Sequence, residues 1–116
     1  MGVEQTSLDL KRGDTWSRTI NFEDEDGSPI DITGWVIRLT AKAKIDDPDV
    51  SAVFSVLAVL SNAAIGEATI SLTSTHTNQT VGSYLFDVQV TTNLSEIITV
   101  LEGIINISKD IYTGVS

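Results

Sequence analysis

The sequence contains no cysteine, only two prolines and seven aromatic residues of the Phe, Trp and Tyr types. Without cysteine there can be no disulfide, no thiolate metal ligand and no thiol nucleophile. Packing alone must therefore hold any hydrophobic core, which is feasible because a chain of this size can bury about two-thirds of its unfolded surface. The sequence excludes thiol enzymes and predicts a single domain at residues 1–108, followed by a tail or linker at 109–116.

Long apolar runs and a cationic leader are also missing. The longest apolar run, residues 56–60, has the length of a strand and is far too short for a membrane span. Residues 1–6 lack both the basic flank and the apolar run of a secretion signal. The sequence therefore predicts no signal peptide and no membrane partner.

Basic residues are scarce: 7 Lys and Arg face 16 Asp and Glu, which gives a formal net charge of −9. A surface of this sign repels phosphate backbones and anionic lipids. The glycines are dispersed along the chain, as turn and strand glycines are, and form no phosphate-binding cluster. The sequence predicts no nucleic-acid partner and no cofactor.

What the sequence does contain is period-two alternation, most clearly in residues 16–35. Trp16, Ile20 and Phe22 fall on one face of an extended chain, while polar residues fall on the other. The Asp-Gly pair at 26–27 supplies residues that tolerate a positive φ. This stretch predicts a strand, a tight acidic turn and a second strand.

Similar short strands recur along the chain and are separated by turn residues. They are expected near residues 7–11, 16–23, 35–44, 52–60, 68–73, 84–91 and 96–108, with a brief edge segment at 30–32. No helical periodicity persists for the length of an ordinary helix. The sequence therefore predicts an all-β fold, an immunoglobulin-like antiparallel β-sandwich of about seven or eight strands. At most one short helical turn is expected near residues 74–80, with Ser74 as its N-cap.

The segment Gly82-Ser83-Tyr84 opens one of these strands, and Phe86 follows two residues later. This pattern is typical of the tyrosine corner of immunoglobulin-like sandwiches. The phenol of Tyr84 is expected to bond a backbone carbonyl just upstream, and Phe86 is expected to lie in the central core.

Two acidic clusters and the single histidine are the candidate chemical sites. The acidic clusters at 23–26 and 46–49 could ligate calcium, but neither has the residue series of a calcium-binding loop, so solvated turns are favoured and calcium binding stays open. His76 is the only histidine and lies in a polar turn where nothing marks an adjacent hydroxyl as a nucleophile, so a hydrolytic triad is not indicated. The sequence predicts no catalytic residue, no metal ligand and no enzymatic activity.

Two strands carry large aliphatic residues on both faces, at 56–60 and 96–107. A sheet with one covered face does not require this. Burial against another subunit explains it, and so does packing between two sheets with a bulge at Gly103. The residues predicted to form a protein interface are Val56, Leu57, Val59, Leu60, Ile98, Val100 and Ile104.

Several short motifs occur in a characteristic order along nearly the whole chain. They are Gly13-Asp14-Thr15, the segment 26–34, the Gly-Glu-Ala-Thr-Ile strand start at 66–70, Gly82-Ser83-Tyr84 and Leu101-Glu102-Gly103. Their order and spacing resemble the N-terminal domain of phage baseplate upper proteins and related small tail-associated β-sandwich proteins.

The resemblance implies a non-enzymatic structural module of a phage or prophage virion, made in the bacterial cytoplasm and incorporated into the tail or baseplate. Its implied partners are other tail or baseplate proteins, with self-association as a further option. The alternative is a carbohydrate-binding or adhesive immunoglobulin-like module. Because alternation points Trp16, Trp35 and Tyr84 toward the core, sugar stacking by these residues is the less favoured interpretation.

Overall fold

The computed structural model describes residues 4–43 and 52–109, in which two β-sheets pack face to face. The strands are β1 (Glu4–Lys11), β2 (Trp16–Asn21), β3 (Val36–Lys42), β4 (Phe54–Leu57), β5 (Val59–Asn62), β6 (Glu67–Leu72), β7 (Gly82–Thr91) and β8 (Ile97–Ser108). A 3₁₀ turn, Ala63–Ile65, and one helical turn, α1 (Ser74–Thr77), complete the described elements. None of the helical segments in these two ranges is long and apolar enough to cross a membrane.

The larger sheet has five strands in the order β1-β8-β7-β3-β4, and the smaller has three in the order β2-β6-β5. The predicted all-β, immunoglobulin-like sandwich with one short helical turn is confirmed. Strand pairing is antiparallel except between β1 and β8, which run parallel. After Lys11 the chain enters the smaller sheet, so β1 and β2 form no hairpin.

The core lies between the two sheets and consists of the inward residues of the alternating strands. On β3, for example, Ile37, Leu39 and Ala41 are buried, as their alternation predicted. The buried apolar residues are Leu10, Phe22, Ile32, Ile37, Leu39, Ala41, Phe54, Ala68, Ile70, Leu72, Phe86, Val88, Val90, Leu101, Ile105 and Ile107. Trp16, Trp35 and Tyr84 pack against this core and are half-buried.

The tyrosine corner is present. Tyr84 Oη donates a hydrogen bond to the backbone carbonyl of Thr80, and Phe86 is buried in the core. The hydroxyl therefore ties the start of β7 to the loop that precedes it.

The N-cap of α1 is Thr73 and not Ser74, so the predicted cap was wrong by one residue. The backbone N–H of Thr73 donates to His76 Nδ1 (3.0 Å), and Thr73 Oγ1 accepts from the backbone N–H of His76 (3.4 Å). These reciprocal bonds form a capping box. His76 is thus occupied in holding a helical turn.

The strand predicted at 52–60 is two strands that belong to different sheets. β4 pairs with β3 in the larger sheet, and β5 pairs with β6 in the smaller one. The chain crosses between the sheets at Ala58, whose N–H donates to the carbonyl of Ile37 (2.8 Å). Val56, Ala58 and Leu60 pack against the core in both halves of the run, whereas Leu57 and Val59 are exposed, so the change of sheet does not bury its second apolar face.

The strands predicted on either side of the acidic segment are likewise in different sheets, since β2 pairs with β6 while β3, which begins at Val36, pairs with β7. The tight acidic turn between them is present as a small hairpin in which Glu23 bridges Pro29. The first strand and the turn are therefore as predicted, while the expected edge segment at 30–32 forms no strand of its own, although the Ile30 N–H donates back to the Phe22 carbonyl (3.0 Å).

The bulge predicted at Gly103 lies at Val100 instead. Val88 pairs with Leu101 and Gln89 pairs with Thr99, which leaves Val100 as the extra residue on β8. Gly103 has another function: a Cβ at this position would overlap the carbonyl oxygen of Thr6 on β1. The glycine allows β1 to lie close against β8.

Candidate docking surfaces

The structure brings together only some of the residues predicted to form an interface. Val56, Leu57 and Val59 are neighbours at the crossover between β4 and β5, while Leu60 packs against the core. The remaining three lie on β8: Ile98 and Val100 are half-buried, and Ile104 is exposed on the outer face of the larger sheet.

A cleft of about 550 Å³ opens beside the crossover, between the edge strand β4 and strand β6. We call it the crossover cleft, and it is lined by Arg38, Ser55, Val56, Leu57, Val59, Thr69, Ser71 and His76. Leu57 is 54% exposed and Val59 is 68% exposed, so each presents most of its apolar surface to solvent. The cleft therefore combines two exposed aliphatic side chains with several hydroxyl groups.

Among the residues that the structure describes, no acidic side chain lines the crossover cleft, although the chain as a whole carries a formal charge of −9. Its ionisable residues are Arg38 and His76. Arg38 Nη1 donates to Ser55 Oγ (2.9 Å), which orients the guanidinium along the rim of the cleft. This arrangement suits an apolar partner surface that also carries a carboxylate or another hydrogen-bond acceptor.

A second depression, of about 560 Å³, lies on the outer face of the larger sheet. We call this surface the five-stranded face, and it is defined by Gln5, Arg38, Thr40, Lys42, Leu85, Asp87, Gln89, Glu102 and Ile104. Leu85 on β7 lies opposite Ile104 on β8, and the two side chains are 36% and 43% exposed. Leu85 was missed at the sequence level, although its position between the inward Tyr84 and Phe86 places it on the outer face.

The acidic hairpin at 23–26 uses one of its own carboxylates to hold its shape. Asp24 Oδ1 accepts from the backbone N–H groups of Asp26 (2.9 Å) and Ser28 (3.0 Å). Within residues 4–43 and 52–109 no group of three or more His, Cys, Asp or Glu side chains is placed to hold a metal ion. The second predicted acidic cluster, at 46–49, lies outside the described residues.

Asp31 performs a similar local function before β3. Hydrogen bonds from the Thr33 hydroxyl (2.6 Å) and then from the Thr33 backbone N–H (3.0 Å) lower the pKa of the Asp31 carboxyl. The carboxylate is fully exposed and fixes a turn. This carboxylate stabilises the connection between the two sheets.

Comparison with known proteins finds solved structures with similar folds and no matching family. No family model matches the chain, and no curated protein matches it. It is similar to the crystal structure of CopC from Methylosinus trichosporium OB3b, with a TM-score of 0.46, 14% identity, and coverage of 94% of this chain and 88% of that one. It is also similar to murine CRIg, with a TM-score of 0.41, 11% identity, and coverage of 90% and 92%. Similarities at this level carry no information about function.

Proposed function

We propose that this chain is a non-enzymatic structural module of a phage tail or baseplate that docks to another tail or baseplate protein. The resemblance of its motif order to phage baseplate proteins supports the setting. The observation that carries the docking proposal is the pair of exposed aliphatic side chains, Leu57 and Val59, beside the crossover cleft.

Single exposed aliphatic residues are normal on a protein surface, so exposure alone does not mark a site. Here Leu57 and Val59 adjoin a concavity that a partner side chain can enter. Burying the exposed parts of both side chains would contribute roughly 2 kcal/mol to binding. That is enough to make the cleft an energetic centre within a larger interface.

The backbone of β4 adds a second kind of contact. β4 is the last strand of the larger sheet, and among the described residues no strand pairs with its outer edge. Edge N–H and C=O groups can accept an added strand from a partner. With Arg38 on the rim, the preferred partner segment is extended, partly apolar and acidic.

The carbohydrate-binding alternative has less support. Stacking on sugars requires exposed aromatic rings, yet Phe22, Phe54 and Phe86 are buried. The remaining aromatic residues of the described ranges, Trp16, Trp35 and Tyr84, are half-buried against the core. Glycan-array binding that is lost on replacing Trp35 would favour this alternative over docking.

The test is binding to the purified tail-hub protein encoded in the same phage or prophage genome. Wild-type protein is expected to bind in a calorimetric titration, and Leu57→Ser is expected to weaken binding by about tenfold or more because the cleft loses its apolar contact. Leu94→Ser is the matched control, since Leu94 is 76% exposed in the β7–β8 turn, away from the cleft. Absence of wild-type binding, or equal weakening by both variants, would overturn the proposal.

A further inference from the structure

We propose that a second copy of this chain packs against the five-stranded face, which makes the protein a symmetric dimer with Leu85 and Ile104 at its centre. This inference goes beyond docking to a tail-hub protein, because it concerns a different partner and the middle of the sheet. The crossover cleft lies at the β4 margin of the same sheet, and Arg38 lines both surfaces.

The first argument is the position of the two aliphatic side chains. Leu85 and Ile104 are cross-strand partners on β7 and β8, two central strands of the larger sheet. A solvated outer face normally carries polar residues, and beside the pair β3 follows that rule with Arg38, Thr40 and Lys42, although Val36 at the far end of β3 is also exposed. An exposed aliphatic pair ringed by polar side chains is the arrangement of an interface centre and its rim.

The second argument is shape. Ile104 is 43% exposed and forms part of the wall of a depression that Gly103 and Phe86 also help to line. An exposed side chain at the wall of a hollow suits a symmetric contact, because a two-fold axis can place the exposed side chain of each copy in the hollow of the other. This self-complementarity favours a second copy over an unrelated flat partner.

The third argument is charge. Arg38 and Lys42 contribute two positive charges to the five-stranded face, and Asp87 and Glu102 contribute two negative charges. The face is therefore balanced, although the whole chain carries −9. Two copies of so acidic a protein repel least when they meet through a neutral surface. A strongly basic or strongly acidic partner would gain nothing at this face.

The area is sufficient for a modest dimer. Five strands about 4.8 Å apart and about seven residues long form a face of roughly 24 Å by 23 Å. Two such faces in contact would bury roughly 1,100 Å², which just exceeds the roughly 1,000 Å² expected of a specific interface. The dimer should therefore be weak and its population should depend on protein concentration.

The test is sedimentation velocity across a wide range of protein concentrations. Wild-type protein is expected to shift from monomer to dimer as concentration rises. The double variant Leu85→Thr/Ile104→Thr is expected to raise the dimer dissociation constant by about tenfold or more. The control Val59→Thr, which removes exposed apolar surface at the crossover cleft, is expected to dimerise like wild type.

A spin label gives an independent readout, because a chain without cysteine can carry a unique label. Labels at Gln89→Cys, on the five-stranded face, are expected to show a short distance between copies, and labels at Ser71→Cys, on the smaller sheet, a long one. A monomeric wild type at every concentration, or equally weakened dimers in the double variant and in Val59→Thr, would overturn the proposal. Tail-hub binding can be measured in the same preparations, so the two proposals fail separately.

Discussion

The two outer faces of the sandwich are built from different side chains. The five-stranded face exposes an aliphatic pair surrounded by two bases and two acids. The three-stranded sheet instead exposes cross-strand hydroxyl pairs, namely Ser17 with Ser71 (3.2 Å), Thr19 with Thr69 (3.3 Å) and Ser61 with Thr69 (3.1 Å). We call these five residues the hydroxyl face.

The difference shows where burial would be favourable. Hydroxyl groups that bond across strands also bond water, so covering the hydroxyl face exchanges one set of hydrogen bonds for another. Covering Leu85 and Ile104 removes apolar surface from water, which is favourable without any new hydrogen bond. A partner therefore gains more binding free energy by covering the five-stranded face than by covering the hydroxyl face.

Among the changes that test this difference between the two outer faces, displacing β1 from the edge of the larger sheet should have the largest effect on stability. Gly103→Ala places a Cβ against the carbonyl oxygen of Thr6, so β1 must shift or detach. We expect a loss of about 3 kcal/mol in the free energy of unfolding, measured by urea denaturation. Hydrogen exchange should show the largest loss of protection in β1, Glu4–Lys11.

The matched control is Ser7→Ala, an exposed position in β1 that should change the free energy of unfolding by less than about 0.5 kcal/mol. If Gly103→Ala is as mild as this control, then β1 does not lie against β8 as described. The depression on the five-stranded face would then lose one of its walls.

Alternation was sufficient to predict which residues of the regular strands point inward. It identified Ile37, Leu39 and Ala41 on β3, because polar residues alternate with them. It failed at Ala58, where the chain changes sheets within an unbroken apolar run and no glycine or proline marks the crossing. Period-two patterns report which face of a strand is apolar, but they do not report the sheet to which the strand belongs.

The candidate surfaces were predictable only in part, for a related reason. Ile104 was identified because apolar residues occupy both faces of β8. Leu85 was not, because its importance depends on lying opposite Ile104, and the sequence does not specify the register between β7 and β8. A bulge at Val100 shifts the register of β7 and β8 between Val88 and Gln89, and no residue pattern at this position predicts a bulge.

A second test of the difference between the faces weakens the anchoring of β7, a central strand of the larger sheet, without changing the outer face of that sheet. Tyr84→Phe removes the hydrogen bond to the Thr80 carbonyl while the ring stays packed, so we expect a loss of about 1 kcal/mol in urea denaturation. Ser83→Ala is the control on the same strand, because Ser83 Oγ donates to Asn106 Oδ1 at an exposed site and should contribute less than about 0.5 kcal/mol. Equal losses in the two variants would mean that the tyrosine corner does not anchor β7.

The smallest effect is expected on the hydroxyl face, at its central residue. Thr69 bonds both Thr19 and Ser61, so Thr69→Val removes two hydroxyl pairs while keeping a β-branched side chain in the strand. Because water replaces the lost bonds, the free energy of unfolding should change by less than about 0.5 kcal/mol. The variant should also sediment like wild type, since the proposed dimer does not use this sheet. A loss above about 1 kcal/mol would show that the hydroxyl pairs are structural, and an altered oligomeric state would mean that both outer faces take part in association.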